Sequence, residues 1–199
     1  MIVKKTGIYL KFNGLTLSLG NSKLDKSILI FNIPAVKTCP NNSDCRKRCY
    51  AFKFEKLYPS VKICRENNYQ KTLSTSFVGD VSQIIQKAIK LGVKAVRVHE
   101  SGDFYSAIYA QQWETISNKF ESLKFFAYTK SPYRPDNFNI VESILPDGSI
   151  NFGSVEDIDK KHEKYKYPIC PATKTGKRIV CGVSCKLCQS LKHVLFYIH

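Results

Sequence analysis

The chain has 199 residues, of which 43% are hydrophobic, a composition that suits one domain with a sizeable core and excludes wholesale disorder. Thirty-one Lys and Arg against sixteen Asp and Glu give a formal net charge of +15, which favours nucleic acid as a partner, although a net charge also aids solubility. No apolar run approaches the roughly 20 residues of a membrane span, and the first residues lack the apolar segment of a signal peptide, so we expect a cytoplasmic, intracellular protein without a membrane partner.

The first elements predicted along the chain are a hairpin and a buried strand. Asn13-Gly14 separates two apolar arms, residues 8–12 and 15–19, and this dipeptide is a strong signal for a tight hairpin turn. Residues 27–33 are rich in Ile, Leu and Phe, which predicts a buried strand that ends at Pro34.

Helices and strands are then predicted in alternation, because apolar residues recur at helical spacing between short apolar runs. In order they are a helix that begins near Ser43 or Asp44, a helix over 78–89 that ends before Gly92, a strand over 93–98, a helix over 106–120 with Ile108 and Trp113 inward, a strand over 124–128 and a short strand over 149–152. This alternation predicts an α/β fold with a parallel sheet, either curled or closed into a partial TIM-like (βα) barrel.

The composition changes after Asp157, where the chain becomes polar and lysine-rich, as is typical of a linker. We therefore expect a barrel-like domain over residues 1–160, which includes the hairpin. A small cysteine-rich lobe over residues 161–199 is expected to bind metal and to pack on that domain.

All eight cysteines fall into two groups, which about a hundred cysteine-free residues separate. The first cysteine group is Cys39, Cys45, Cys49 and Cys64, and the second cysteine group is Cys170, Cys181, Cys185 and Cys188. Four thiolates from a short stretch can close a zinc site or hold an iron–sulfur cluster, and an intracellular chain favours metal over disulfides. The spacing leaves open whether zinc or a [4Fe–4S] cluster is bound, and whether Cys64 is a ligand.

In the first group, Cys45 and Cys49 are four residues apart and would share one face of the predicted helix. If Cys64 is not a ligand, three thiolates leave an open coordination position, as chemistry at a metal requires.

Three polar segments follow predicted parallel strands, and functional residues of such folds lie at the carboxyl ends of strands. These segments are the Cys39 loop, His99–Phe104 and Thr129–Ser131. We expect catalytic roles for His99, Glu100 and Asp103, and cofactor-binding roles for Ser101, Gly102, Asp103 and Lys130. The alternative is that Ser101 or Asp103 only caps the following helix while His99 and Glu100 are solvated.

Four motifs in combination resemble the phage gene product 88 family, which occurs in phages and mobile elements and has no firmly assigned activity. They are the cysteine run from Cys39 to Ala51, Arg97–Phe104, Phe126–Ser131 and the terminal cysteines from Cys170 to Cys188.

The order of elements also resembles that of radical SAM enzymes. That resemblance implies a [4Fe–4S] cluster on Cys39, Cys45 and Cys49, with S-adenosylmethionine held near Ser101-Gly102-Asp103 and an auxiliary cluster on the second cysteine group. It implies an enzyme that modifies nucleic acid or a nucleotide-like substrate.

A rival resemblance comes from Glu100-Ser-Gly-Asp-Phe104, which is similar to a segment of tRNA-guanine transglycosylases. Those enzymes are also barrels, and the resemblance implies zinc on Cys185, Cys188 and His193. A third hypothesis is a non-enzymatic nucleic-acid-binding protein that structural zinc stabilises.

Overall fold

The computed structural model describes residues 8–40, 46–176 and 179–197, which form eight strands and six α-helices. The strands are β1 (Ile8–Phe12), β2 (Leu15–Leu19), β3 (Ile28–Phe31), β4 (Ala95–Val98), β5 (Lys124–Thr129), β6 (Asn139–Glu142), β7 (Phe152–Gly153) and β8 (Phe196–Tyr197). The helices are α1 (Tyr50–Leu57), α2 (Pro59–Thr72), α3 (Phe77–Lys90), α4 (Ala107–Lys119), α5 (Val155–Tyr165) and α6 (Pro171–Thr175). Two short 3-10 helices cover Arg46–Arg48 and Leu187–Gln189.

Six strands form one sheet in the order β1-β2-β3-β4-β5-β6, with β7 and β8 paired separately. The first two pairings are antiparallel and the other three, from β3 to β6, are parallel. The fold is therefore α/β with a mostly parallel sheet, as predicted. Within the described ranges β1 and β6 end the strand order, so a closed barrel is not confirmed.

The predicted hairpin is confirmed, and its turn follows from the residues at its tip. Asn13 and Gly14 both have positive φ angles, 45° and 83°, which a two-residue turn needs to match the twist of the strands. The hairpin places β2 beside the fully buried strand β3.

The sheet has two faces that differ in composition. On the first, which we call the helical face, Leu29 and Phe31 of β3 pack with buried side chains of α3 and α4, including Phe77 and Trp113. Aromatic rings there meet edge to face, with the Phe31 and Trp113 centroids 5.1 Å apart. This face carries the main core.

On the opposite face, which we call the cysteine face, Ile28, Ile30 and Phe126 pack in a small cluster that Cys181 and Cys188 adjoin. The backbone of Cys181 pairs with the loop after β2: its N–H donates to Lys23 O, and the Asp25 N–H donates to Cys181 O. The carboxyl-terminal segment thus folds back over the sheet, and a separate cysteine-rich lobe is not shown.

Several predicted elements are confirmed with small shifts of their ends. Helix α3 matches the helix predicted over 78–89, and Gly92 follows it with a φ of 86°. Helix α4 and strands β4 and β5 also occur where the sequence predicts them. In α4, however, Ile108 is 71% exposed, because Tyr109, one residue on, takes the inward position beside Trp113.

Other expectations are wrong. Helix α1 begins at Tyr50, so Cys49 precedes the helix instead of lying on its face, and Ser43, Asp44 and Cys45 lie outside the described residues. The polar stretch predicted as a linker is helix α5, which buries only Ile158. Helix α2 and strand β6 were not predicted, and the strand expected over 149–152 is the two-residue β7.

Across the described ranges, none of the helices combines the length and apolarity that a membrane span requires.

Candidate functional site at the carboxyl edge of the parallel strands

Three loops meet where the parallel strands β3, β4 and β5 end, as the sequence predicts. The Ile33 N–H donates to Ser101 O over 3.2 Å, and the Ser131 hydroxyl donates to Phe104 O. Main-chain and side-chain bonds therefore join the loop that leads to Cys39, the 99–104 loop and the 129–131 loop.

Asp103 lies inside this junction and is only 7% exposed. One carboxylate oxygen accepts hydrogen bonds from the Thr129 hydroxyl and the Phe104 N–H, and the other accepts from the Lys130 N–H at 3.1 Å. Burial raises the pKa of Asp103, and these three donors oppose that shift. Both oxygens are engaged within the protein, so Asp103 fastens the loop after β4 to the end of β5.

Gly102 and Ser101 hold the same loop against the segment that leads to Cys39. A Cβ on Gly102, whose φ is 82°, would overlap Ile33 Cγ1 and lie 2.7 Å from Thr38 Oγ1. The Ser101 hydroxyl donates to Ile33 O over 2.9 Å. The glycine therefore permits a close approach between two protein loops.

Two polar residues that sequence analysis missed complete this framework. Asn32 Oδ1 accepts from the N–H groups of Glu100 and Ser101, at 2.7 and 3.0 Å. Glu55, 7% exposed, accepts from the Ala35 N–H at 2.8 Å and from Arg65 Nη1 at 2.9 Å. Glu55 is the one acidic residue between positions 46 and 63. A single acid in such a basic segment could have indicated a structural ion pair.

The side chains of His99 and Glu100 lie in different environments. The His99 ring is 3% exposed in the core of the helical face, packs on Phe104 with centroids 4.7 Å apart, and its Nε2 lies 2.8 Å from the Tyr109 hydroxyl. Burial lowers the pKa of His99 to about 3, so the imidazole is neutral at physiological pH. Among His99, Glu100 and Asp103, the residues predicted to be catalytic, only Glu100 retains an accessible carboxylate.

Glu100 pairs with Arg97, which projects from β4 toward the cysteine face. Their side chains are 20% and 17% exposed, and Arg97 Nη1 lies 3.3 Å from the carboxylate. Asn21 Nδ2 donates to both carboxylate oxygens at 2.9 and 3.0 Å, and the Tyr50 hydroxyl donates to Glu100 O at 2.9 Å. The Arg97 guanidinium also lies over the Tyr128 ring, 4.7 Å from its centroid.

The Arg97–Glu100 pair therefore lies between the two cysteine groups. Tyr50 follows Cys49 directly, and Arg97 interacts electrostatically with both Tyr50 and Cys188. Arg97 is not among the site residues predicted from the motifs, although it is the one charged residue within the apolar strand Ala95–Val98.

Two thiols of the second cysteine group, those of Cys181 and Cys188, lie on the cysteine face. Cys181 interacts electrostatically with Cys170 and Cys185, and Cys188 interacts with Cys170 and Cys181. Burial raises the pKa of Cys181, and it raises that of Cys188, which the Tyr128 hydroxyl contacts, to about 11. The thiols of Cys181 and Cys188 are thus protonated at neutral pH unless a ligand displaces the protons.

The first cysteine group is less closely assembled in the described part of the chain. Cys39 follows β3, Cys49 precedes α1, and Cys45 is outside the described residues. Cys64 on α2 lies toward the hairpin, where its thiol interacts with Thr16 and burial raises its pKa. None of the seven described cysteines is in a disulfide.

Within residues 8–40, 46–176 and 179–197, no three Cys, His, Asp or Glu side chains form a ready metal site. Of the remaining predicted residues, Lys130 places its ammonium 5.3 Å from the Phe152 ring centroid, and His193 stacks on Tyr167 at 4.3 Å.

Comparison with known proteins relates the chain to phage proteins. The model of a family described as Gene product 88 matches residues 10–181. The Gene 88 protein of Mycobacterium phage D29 is 30% identical over 104 residues, 47% of this chain and 42% of that protein. The Gene 88 protein of Mycobacterium phage L5 is 28% identical over 102 residues, 47% of this chain and 43% of that protein.

The chain therefore spans less than half the length of the curated relatives that it matches. No solved structure matches it. Nothing in these comparisons supports the resemblance to radical SAM enzymes.

Proposed function

The chain belongs to the Gene product 88 family, and we propose that it is a cysteine-ligated metalloenzyme that acts on nucleic acid. The observation that carries the proposal is the meeting of cysteines on one face of the sheet: Cys181 and Cys188 pack on the same apolar cluster, and the Cys181 backbone forms a bridge with Cys185. Thiols that only fill a core have no need to gather from separate loops, whereas the ligands of a metal must do so.

The second cysteine group would hold a closed, structural site. Four thiolates suit zinc or an iron–sulfur cluster, because both accept an all-sulfur ligand set. Metal binding would keep the thiols deprotonated despite their burial, so that coordination and the docking of this segment are coupled. Gly182, whose φ is 97°, lets the Cys181 loop lie close to the sheet, since a Cβ there would lie 2.8 Å from Ile28 Cδ1.

The first cysteine group would hold the reactive site. Cys39 and Cys49 flank the residues outside the described ranges, and the loop that leads to Cys39 packs against Gly102 at the carboxyl edge of the parallel strands. Cys64 faces Thr16 instead, which favours three thiolate ligands, Cys39, Cys45 and Cys49. A [4Fe–4S] cluster bound in this way would supply one iron with an open position.

Glu100 is the residue best placed to act on a substrate beside that site. Its carboxylate is 20% exposed, and beside the bonds from Asn21 and Arg97 its oxygens keep lone pairs that could accept a hydrogen bond from a nucleobase N–H or take up a proton. Ser101, Gly102 and Asp103 fit S-adenosylmethionine poorly, because their polar atoms and their space are used within the protein. We assign no reaction step through that cofactor.

A second candidate is a non-enzymatic nucleic-acid-binding protein with two structural zinc ions. This candidate is favoured because Asp103 and His99 are hydrogen-bonded to Thr129 and Tyr109 inside the fold, which leaves few polar groups for catalysis. For both candidates, the net charge of +15 would attract the phosphates of the nucleic acid.

Anaerobic purification followed by iron, sulfide and zinc assays tests the metal assignment. We expect metal in the wild type, loss of one site in Cys185→Ser, loss of the other in Cys49→Ser, and no loss in the control Cys64→Ser. Zinc at both sites without iron would favour the second candidate. Protein that takes up no metal even after reconstitution would refute both.

Glu100→Gln separates the enzyme from the binding protein. The control is Glu142→Gln, because Glu142 also pairs with an arginine, Arg134, at 2.8 Å. For an enzyme, Glu100→Gln should abolish the mass change that wild-type protein produces in phage DNA or RNA oligonucleotides while metal content and binding persist. Equal turnover by the two variants would remove Glu100 from the reaction.

A further inference from the structure

Helix α1 carries an exposed aromatic surface that its own packing does not require. Tyr50, Phe54 and Leu57 of α1 and Tyr58, the residue that follows the helix, are 59%, 49%, 68% and 50% exposed, and spacing of four and three residues puts the first three on one side of the helix. The helix is anchored instead through Ala51 and Glu55 on its buried side. We call these four exposed residues the α1 platform.

The rings of the platform are arranged as neighbours. The Phe54 and Tyr58 centroids are 5.5 Å apart with ring planes at 39°, and both rings remain about half exposed. Clustered exposed aromatic residues are uncommon on a protein surface unless they contact a partner. Two open ring faces at this spacing suit flat, unpaired bases.

The surroundings of the platform are positively charged. Residues 46–63 contain six Lys or Arg residues and one acid, Glu55, which is buried in its pair with Arg65. Lys53 and Lys56 are exposed on α1 itself, between the platform residues along the chain. This mixture of cations and aromatic rings is typical of surfaces that bind single-stranded nucleic acid, because the cations hold phosphates while the rings stack on bases.

We propose that the α1 platform binds single-stranded DNA or RNA, with bases stacked on Phe54 and Tyr58 and phosphates held by Lys53 and Lys56. This proposal deepens the proposed function, on which it rests for nucleic acid as the partner class. A duplex hides its base faces, so only a single strand can use the rings. A second copy of the chain fits less well, because it would bring two cationic surfaces together.

The position of the platform relates it to the candidate site. Tyr50 belongs to the platform, and its hydroxyl binds Glu100 O. A strand that follows α1 toward its amino terminus would therefore arrive beside Cys49 and the Arg97–Glu100 pair. The platform would thus select single strands and present a base to Glu100.

Fluorescence anisotropy with labelled 12-nucleotide single strands and the matching duplex, on metal-loaded protein, tests the proposal. Phe54→Ala and Tyr58→Ala should each weaken single-strand binding by about tenfold. The matched control is Tyr9→Ala, because Tyr9 is 58% exposed on β1, and it should bind like the wild type.

Salt dependence tests the lysines separately. Lys53→Gln combined with Lys56→Gln should reduce the slope of log affinity against log salt by about 1.4, from about 0.7 for each single-strand phosphate contact. Lys90→Gln combined with Lys119→Gln, exposed lysines at the ends of α3 and α4, should leave the slope unchanged.

Equal binding by Phe54→Ala, Tyr58→Ala and Tyr9→Ala would overturn the proposal, as would duplex binding as tight as single-strand binding. Self-association of the wild type that Phe54→Ala and Tyr58→Ala abolish would assign the platform to a second copy instead. The metal content of the same variants should equal that of the wild type, so failure here is distinguishable from failure of the metal assignment.

Discussion

The two faces of the sheet are stabilised in different ways. On the helical face, Leu29, Phe31, Val96 and Val98 join a continuous apolar core, in which Trp113 is fully buried. On the cysteine face the apolar cluster is small, and Arg97, Tyr128, Cys181 and Cys188 lie beside it. Apolar burial is sufficient for the first face, whereas the second gathers groups that are costly to bury unless a ligand or partner compensates them.

The largest effect expected on the helical face comes from Trp113→Ala, which should lower the free energy of unfolding by about 4 kcal/mol because it leaves a cavity among packed rings. Ile108→Ala on the same helix should change it by less than about 0.5 kcal/mol, since Ile108 is 71% exposed. Urea unfolding of metal-loaded and metal-free protein measures both. If Trp113→Ala lowered the free energy of unfolding only in the metal-loaded protein, this would contradict the expectation that the helical face is stable without the metal.

A smaller, pH-dependent effect is expected from His99. Its pKa in the folded protein, about 3, is below the unfolded value of about 6.5, so the unfolded chain binds the proton more readily. The destabilisation is absent above pH 6.5 and grows by about 1.4 kcal/mol for each unit as the pH falls toward 3. Stability curves at pH 7 and pH 5 should therefore differ by about 2 kcal/mol on this account.

The variant His99→Asn should remove most of that difference, and Asn tolerates the positive φ of 70° at this position. His162→Asn is the control, because His162 lies on the surface of α5. An unchanged pH dependence in His99→Asn would show that the imidazole is not the group that titrates.

The sequence was sufficient to predict the parts of the fold that depend on local pattern. The Asn13-Gly14 turn, the apolar spacing of α3 and the apolar runs of β3, β4 and β5 each point to one structure, and each was predicted correctly. The expected meeting of the loops after β3, β4 and β5 also followed from the general geometry of parallel strands.

What failed depends on contacts between distant residues. In α4, Ile108 is predicted to face inward because it is apolar, whereas Tyr109, four residues before Trp113, faces inward and lies 2.8 Å from His99 Nε2. Helix α2 has little apolar pattern in its sequence. Polar contacts hold it against the sheet instead, such as the hydrogen bonds that Asn68 donates to Thr16 O and Asn32 O.

The positions of the site side chains were also difficult to predict from the sequence alone. Residues 99–103 form one dense polar motif in the sequence, yet their side chains lie in three different environments. His99 lies in the helical-face core, Asp103 inside the loop junction, and Glu100 beside Arg97. Neighbouring residues at a strand end point in different directions, and side-chain type alone does not reveal which one remains accessible.

Hydrogen exchange of metal-loaded against metal-free protein tests most directly whether a metal holds the cysteine face. The Cys181 N–H, bound to Lys23 O, and the Asp25 N–H, bound to Cys181 O, report on the attachment of the second cysteine group, and the amides of α3 and α4 report on the helical face. We predict that removal of metal accelerates exchange at Cys181 and Asp25 by at least about tenfold and leaves α3 and α4 unchanged. Equal protection of Cys181 and Asp25 with and without metal would contradict the account.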